Sequence, residues 1–121
     1  MRLRTTIVAL AALLLLVGTY VATADEQGDH ARPESVTAVC GSSTATVGWA
    51  PVVDQHLSGY DVYRKRATDP SFAKVNPQTV TATSFGDSGL APSTTYVYGV
   101  RAVYNDGHES PLSSTASCTT Q

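Results

Sequence analysis

Hydrophobic and polar residues alternate with a period of two along the chain from residue 34 onward. In STATVGW, Ala45, Val47 and Trp49 share one side, with threonine and glycine on the other. In GYDVYRK, Tyr60 and Val62 share one side in the same way. Together with the enrichment in valine, threonine and tyrosine, this periodicity predicts β-strands that have one buried and one exposed face.

The strand pattern is interrupted at short intervals by glycine, proline, aspartate and serine, and residues 34–120 contain no helical stripe. Six or seven short strands in this span predict an all-β, antiparallel sandwich in which each sheet covers the apolar face of the other. Residues 68–78 contain two prolines and fit a short edge strand with its flanking loops.

The first 24 residues follow a different pattern, with two arginines, an apolar run over residues 7–17 and an Ala-Thr-Ala ending at Ala24. This order predicts a secretory signal peptide at residues 1–24, cleaved after Ala24. The alternative is an uncleaved membrane anchor, because residues 5–24 are 20 mostly apolar residues and can span a bilayer. Both interpretations export the rest of the chain. Residues 25–33 are polar and predict a flexible lead before a domain at residues 34–120.

Cleavage would leave residues 25–121 with six basic and ten acidic residues, which is a net charge of −4 with neutral histidines. This excess of acid argues against nucleic acid or an anionic membrane surface as a partner, since both require an excess of lysine and arginine. The run Arg64-Lys65-Arg66 is the one basic cluster, and we interpret it as a solvated strand end.

Four segments in order carry a family resemblance over residues 33–119. They are Pro33, then VGWAP, then SGYDVYRKR, then DSGLAPSTTYVYGVRAVYNDGHES. In this order and spacing they resemble a fibronectin type III domain. The resemblance implies a seven-strand, immunoglobulin-like antiparallel sandwich, with strands A, B and E facing strands C′, C, F and G.

The resemblance also assigns structural roles. Trp49 would end strand B and anchor the core, and Tyr96 would be a tyrosine-corner residue whose hydroxyl bonds backbone near Leu90. Leu90 would close the bottom of the core. The predicted structural core consists of Trp49, Tyr60, Val62, Leu90, Pro92, Tyr96 and Val100.

Cys40 and Cys118 are a departure from most members of the resembled family, which lack a disulfide. Their parity places them with inward-facing residues, and the implied topology brings the far ends of strands A and G together on facing sheets. In an exported chain we predict an intramolecular disulfide rather than free thiols or an intermolecular bond. The disulfide would close a loop of about 77 residues, which would stabilise a small domain by roughly 4 kcal/mol.

Candidate catalytic chemistry is sparse. No serine lies in a Gly-x-Ser-x-Gly elbow, and loop acids such as Asp106 and Glu109 have no deep cleft to converge on in a small sandwich. The histidines, His30, His56 and His108, fall in the lead and in two loops, and none pairs with another at i, i+4 on a helix. We therefore predict no catalytic residue, no cofactor and no metal site.

The outward positions of the C–F–G face give a candidate binding surface, Tyr63, Arg101 and Val103. A tyrosine ring can stack while its hydroxyl bonds, which suits contact with protein or carbohydrate, although cross-strand packing is the simpler interpretation. The turn Asn105-Asp106-Gly107 contains no Arg-Gly-Asp tripeptide, so integrin-like adhesion has no support.

The resemblance implies a function as well as a fold. Bacterial members of the family occur as accessory domains of secreted polysaccharide-degrading enzymes. We therefore expect a secreted, monomeric, non-catalytic module for binding, interaction or spacing, with an extracellular protein or polysaccharide as its partner. The alternatives are an accessory component of polysaccharide degradation and a membrane-tethered ectodomain that retains its N-terminal segment.

Overall fold

A computed structural model describes residues 30–121. The predicted signal peptide at residues 1–24 and residues 25–29 of the predicted lead lie outside the described residues. Between residues 30 and 121, no helix has the length and apolar character needed to cross a membrane. This part of the chain forms seven strands: β1 (Glu34–Cys40), β2 (Ala45–Ala50), β3 (Leu57–Arg66), β4 (Ala73–Lys74), β5 (Ser84–Asp87), β6 (Thr95–Tyr104) and β7 (Ala116–Thr119).

The strands form two antiparallel sheets, one with the order β1-β2-β5 and the other with the order β4-β3-β6-β7. This arrangement confirms the predicted all-β sandwich, with strands A, B and E on one sheet and C′, C, F and G on the other. The two ten-residue strands, β3 and β6, pair along almost their whole length and form the centre of the larger sheet.

The core lies between the two sheets and is built from the alternating apolar positions of β2, β3 and β6. Because successive side chains of a strand point to opposite faces, the residues buried in the core alternate along the central part of these strands. The buried apolar residues are Ala45, Val47, Trp49, Tyr60, Val62, Leu90, Tyr96, Tyr98, Val100, Ala102 and Tyr104. Six of the seven residues predicted for the core are in this set.

The seventh, Pro92, is exposed, so its prediction as a core residue is wrong. Alternation from Leu90 does not extend through the turn before β6, since Ser93 takes a positive φ of 50° and the chain changes direction there. The Pro92 carbonyl accepts a hydrogen bond from the Thr94 hydroxyl at 2.8 Å. Pro92 therefore helps to order the turn without packing inside the sandwich.

Tyr96 makes the bond of a tyrosine corner, with its hydroxyl accepting from the backbone N–H of Ala91 at 3.0 Å. The Ala91 carbonyl accepts from the Thr120 hydroxyl at 2.6 Å. The N–H and the carbonyl of Ala91 therefore both have side-chain hydrogen-bond partners, as polar groups away from water need.

The predicted disulfide is confirmed, with Cys40 and Cys118 bonded and their Cα atoms 5.5 Å apart. The bridge joins the end of β1 to β7, which lie on different sheets. It therefore fixes one edge of the sandwich covalently.

The packed domain begins earlier than predicted, because residues 30–33 are held against it. Pro33 is fully buried. The Tyr104 hydroxyl donates to the Ala31 carbonyl at 2.7 Å, and Arg32 Nη1 donates to the Leu112 carbonyl at 3.0 Å. For these residues the prediction of a flexible lead is wrong, because Tyr104 of the domain bonds the backbone of Ala31 and the side chain of Arg32 bonds the backbone of Leu112.

A second link between the sheets is ionic. Oδ2 of Asp87 in β5 accepts hydrogen bonds from Arg64 Nη1 at 2.8 Å and from the Tyr98 hydroxyl at 2.7 Å. Burial and the bond to Asp87 raise the pKa of Tyr98. Burial opposes the charge of Arg64, but the hydrogen bond to Asp87 and the charge of Asp87, with smaller contributions from Tyr98 and Tyr96, together outweigh burial and raise the pKa of Arg64. The prediction of a solvated strand end is therefore wrong for Arg64, which has the inward parity of Tyr60 and Val62.

Candidate functional site

Two of the predicted surface residues, Tyr63 and Arg101, lie side by side on the outward face of the four-stranded sheet. Tyr63 in β3 is paired with Gly99 in β6, and the position opposite its ring therefore has no side chain. The Arg101 guanidinium lies over the Tyr63 ring, 5.3 Å from its centre. This distance is within the range of a cation–π contact, in which the ring face attracts the positive charge.

Glu109, from the segment after the β6–β7 turn, joins the two side chains. Its carboxylate accepts hydrogen bonds from the Tyr63 hydroxyl at 2.8 and 3.1 Å, and Arg101 Nε lies 3.7 Å from Glu109 Oε1. Arg101 Nη1 also donates to the Ser110 carbonyl at 2.8 Å. The ring and the guanidinium are therefore each held by more than one contact, and we call Tyr63, Arg101 and Glu109 the face cluster.

The third predicted residue, Val103, is partly buried on the same face and forms an isolated antiparallel bridge with Glu109. Val103 is opposite Gly59 in the β3–β6 ladder. Its contribution is to hold the chain segment that carries Glu109 beside the sheet, so it supports the face cluster through the backbone.

Asp61 faces outward yet is buried, because neighbouring polar side chains cover it. Asn76 Nδ2 donates to Asp61 Oδ1 at 2.9 Å, and Lys74 Nζ lies 3.7 Å from Asp61 Oδ2. Asn76 is fixed in turn by accepting from the Val62 N–H at 2.7 Å. Alternation gave Asp61 the outward side correctly but carries no information about this cover.

The pKa values of Asp61, Glu109 and Tyr63 depend on their neighbours on this face. Burial would raise the pKa of Asp61, but hydrogen bonds with Glu109 and Asn76 and the charge of Lys74 hold this pKa below its usual value. Burial and the neighbouring Asp61 raise the pKa of Glu109. Burial and the bond to Glu109 raise the pKa of Tyr63 to about 12. Tyr63 therefore keeps its proton through the neutral range and acts as a donor.

The arrangement of these acids does not match that of a glycoside hydrolase. Glycoside hydrolysis needs two acids on opposite sides of a bound sugar, roughly 5 Å or more apart. Asp61 and Glu109 instead lie on the same sheet face, close enough for each to affect the pKa of the other. A cavity near the end of β3 is lined by Arg66, Thr68 and Thr95 among others and includes neither acid.

At the other end of the sandwich from this cavity, where β3 begins and β6 ends, the fold brings a residue from before β1 close to the β6–β7 turn. Asp106 and His108 of the β6–β7 turn lie beside His30, which precedes β1. Asp106 Oδ2 is 2.9 Å from His108 Nδ1 and 3.9 Å from His30 Nε2. The prediction that the histidines fall in separate segments is correct, but the fold brings two of them together. The side chain of His56 is not part of this group and contacts Asp54, with 3.4 Å between Nδ1 and Oδ1.

The two sheets, their Greek-key-like strand order and the tyrosine corner define an immunoglobulin-like β-sandwich. A family model described as the fibronectin type III domain matches residues 31–119. The chain belongs to the fibronectin type III family, as the resemblance predicted.

Relatives of known identity are large enzymes. A poly(3-hydroxybutyrate) depolymerase of Delftia acidovorans is 43% identical over 76 residues, which are 63% of this chain and 14% of that protein. Exoglucanase B of Cellulomonas fimi is 42% identical over 84 residues, which are 69% of this chain and 7% of that protein. The chain thus matches only a small part of each relative's length.

A solved structure shows the same fold in a protein of similar size. The Fn3-like protein from Clostridium thermocellum has a TM-score of 0.62 and 29% identity, covering 72% of this chain and 88% of that one. Related fibronectin type III domains occur as modules in glycoside hydrolases, and such domains are typically non-catalytic.

Proposed function

We propose that this chain is a non-catalytic, extracellular fibronectin type III module that binds polysaccharide through the outward face of its four-stranded sheet. The observation that carries the proposal is the face cluster. It presents an aromatic ring, a guanidinium and a carboxylate on one half-exposed surface, each held in place by the others.

A surface of this kind binds at low entropic cost. Immobilising a flexible side chain on binding costs roughly 0.5–1.5 kcal/mol, and Tyr63 and Arg101 already have fixed partners in the free chain. Tyrosine and arginine are also enriched where proteins make contacts, since each combines a planar stacking surface with hydrogen-bond donors.

The relatives support a polysaccharide in preference to a protein ligand. They include an exoglucanase and an endoglucanase of Cellulomonas fimi and amylopullulanases of Thermoanaerobacter thermohydrosulfuricus and Thermoanaerobacterium saccharolyticum. Glucan hydroxyl groups can bond to guanidinium and carboxylate groups, while the C–H faces of a sugar ring pack against an aromatic side chain. The face cluster supplies all three kinds of contact.

The signal-like pattern of residues 1–24 supports export. The intact mass of the exported protein distinguishes its two forms, because cleavage after Ala24 gives an N-terminus at Asp25. A mass that includes residues 1–24 would support the membrane-tethered alternative.

The binding proposal is tested by pull-down on insoluble cellulose, starch and poly(3-hydroxybutyrate), with cell-surface extract as a separate arm. We expect retention on a glucan, lost in Tyr63→Ala and in Arg101→Ala. The matched control is Thr46→Ala, an exposed residue on the three-stranded sheet, which should be retained like the wild type.

Three outcomes contradict parts of the proposal. Equal retention of all variants rejects the face cluster as the site. Retention on poly(3-hydroxybutyrate) alone, or capture of a protein from the extract alone, rejects the glucan as ligand.

A further inference from the structure

We propose that His30, Asp106 and His108 form a binding site for a divalent transition-metal ion, with Zn²⁺ as the ion that fits best. The site lies at the end of the sandwich where the chain enters β1 and where β6 turns towards β7. We call these three residues the turn site. It is separate from the face cluster and does not depend on the proposed polysaccharide binding.

The donor atoms of the turn site lie within reach of a single ion. One ligand atom from each residue lies within 4.8 Å of the others. Tetrahedral Zn²⁺ with bonds of 2.0–2.2 Å places its ligands about 3.4 Å apart. The His108–Asp106 distance of 2.9 Å is slightly shorter than this, and the His30–Asp106 distance of 3.9 Å is slightly longer. Small side-chain rotations are enough to complete the geometry.

The turn holds two of the ligands in position. Gly107 N–H bonds the Tyr104 carbonyl at 2.8 Å, and the φ of 91° at Gly107 is one that glycine adopts readily. Asp106 Oδ1 accepts from the backbone N–H of His108 at 2.9 Å, which leaves Oδ2 directed at the two imidazoles. Carboxylates that bind metal ions are commonly held in position by a hydrogen bond to the oxygen that does not bind the ion.

The third ligand is positioned by the core. The His30 ring packs against the Tyr104 ring with 4.5 Å between centres, and Tyr104 is buried and bonds the neighbouring Ala31 carbonyl. The segment before β1 is therefore fixed where His30 can meet the turn. The His30 and His108 rings lie 5.9 Å apart, centre to centre.

The chemistry of the donor set selects the class of ion. Two imidazoles and one carboxylate suit Zn²⁺ and its neighbours Cu²⁺, Ni²⁺ and Co²⁺, whereas Mg²⁺ and Ca²⁺ require mostly oxygen ligands. Three protein ligands leave one tetrahedral position for water or for a group from outside the chain.

The site connects residues that are distant in sequence. An ion bound to His30 and to the 106–108 turn would tie the segment before β1 to the β6–β7 connection. A metal that binds the folded chain and not the unfolded one raises the unfolding temperature by mass action.

The test is a calorimetric titration of the purified, untagged chain with ZnCl₂ in a buffer that does not bind zinc. We expect saturable binding of one ion per chain and a rise in the thermal midpoint when zinc is present. MgCl₂ should neither bind nor compete with zinc.

Two variants and one control locate the site. His30→Ala and Asp106→Asn should each weaken zinc binding roughly tenfold or more. Asp106→Asn retains an Oδ1 acceptor for the His108 N–H, which keeps the turn intact. His56→Ala removes the remaining histidine, which is 70% exposed and lies beside Asp54, and should bind zinc like the wild type.

Absence of saturable zinc binding by the wild type overturns the proposal. Binding that His56→Ala weakens as much as His30→Ala also overturns it, since the ion would then be bound by histidines in general. Unchanged binding by Asp106→Asn would show that the Asp106 carboxylate is not a ligand and would overturn the three-residue site.

Discussion

Replacing Asp87 with alanine is expected to destabilise the domain by about 3 kcal/mol, since the carboxylate is the shared partner of two groups on the facing sheet. The Tyr98 side chain is fully buried, so its hydroxyl cannot find water and would cost about 1–3 kcal/mol unpaired. The Arg64 side chain is 32% exposed and can recover some hydration, which limits its share to about 1–2 kcal/mol.

The assay is urea unfolding at neutral pH without reductant, followed by the fluorescence of Trp49, the single tryptophan of the chain. Glu34→Ala, which removes an exposed carboxylate at the start of β1, serves as the control and should change the unfolding free energy by less than about 0.5 kcal/mol. Adding Tyr98→Phe to Asp87→Ala should restore about 1–2 kcal/mol, because the unpaired hydroxyl is then gone.

The reasoning fails if Asp87→Ala costs less than about 1 kcal/mol, which would mean that water replaces the carboxylate freely. It also fails if Tyr98→Phe restores nothing in the Asp87→Ala background. In that case the Asp87 effect would come from local strand packing and not from the bond between the sheets.

Three further predictions concern the rest of the domain. Tyr96→Phe should cost about 1–3 kcal/mol in thermal unfolding by removing the corner bond, and an unchanged midpoint would contradict that role. Gly59→Ala should destabilise by more than about 1 kcal/mol, because its Cβ would lie 2.7 Å from the Val80 carbonyl, while Gly86→Ala, with open space around it, should change urea unfolding by less than about 0.5 kcal/mol. Burial and Glu109 raise the folded-state pKa of Tyr63 from 10.0 to about 12, so unfolding free energy should fall as pH rises between these values, and Tyr63→Phe should reduce that fall.

Alternation predicted the faces of the strands because burial between two sheets repeats every second residue. Trp49, Tyr60 and Val62 all follow from it. The same parity placed Arg64 inward, and this was the available signal for its ion pair with Asp87. A charged residue such as Arg64 is usually predicted to be exposed. Its partner Asp87 lies on the other sheet, at a position that the periodicity of one strand cannot specify.

The turn site could not be predicted in the same way. His30 and His108 meet because Tyr104 holds the segment before β1 against the β6–β7 turn. That contact depends on three-dimensional packing at the end of the sandwich, where no periodic pattern applies. Pro92 shows the same limit, since the turn that contains it ends the alternation on which its prediction rested.

The Cys40–Cys118 bridge also determines how the domain would respond to a mechanical load. A force that enters through β1 and leaves through β7 passes through the covalent bond and bypasses the residues between the cysteines. The bridge joins residues 78 apart in sequence, so it withholds roughly 260 Å of chain that would otherwise be released on extension. The oxidised domain can therefore lengthen under load only by the residues outside the bridge, and reduction would also release those between the cysteines.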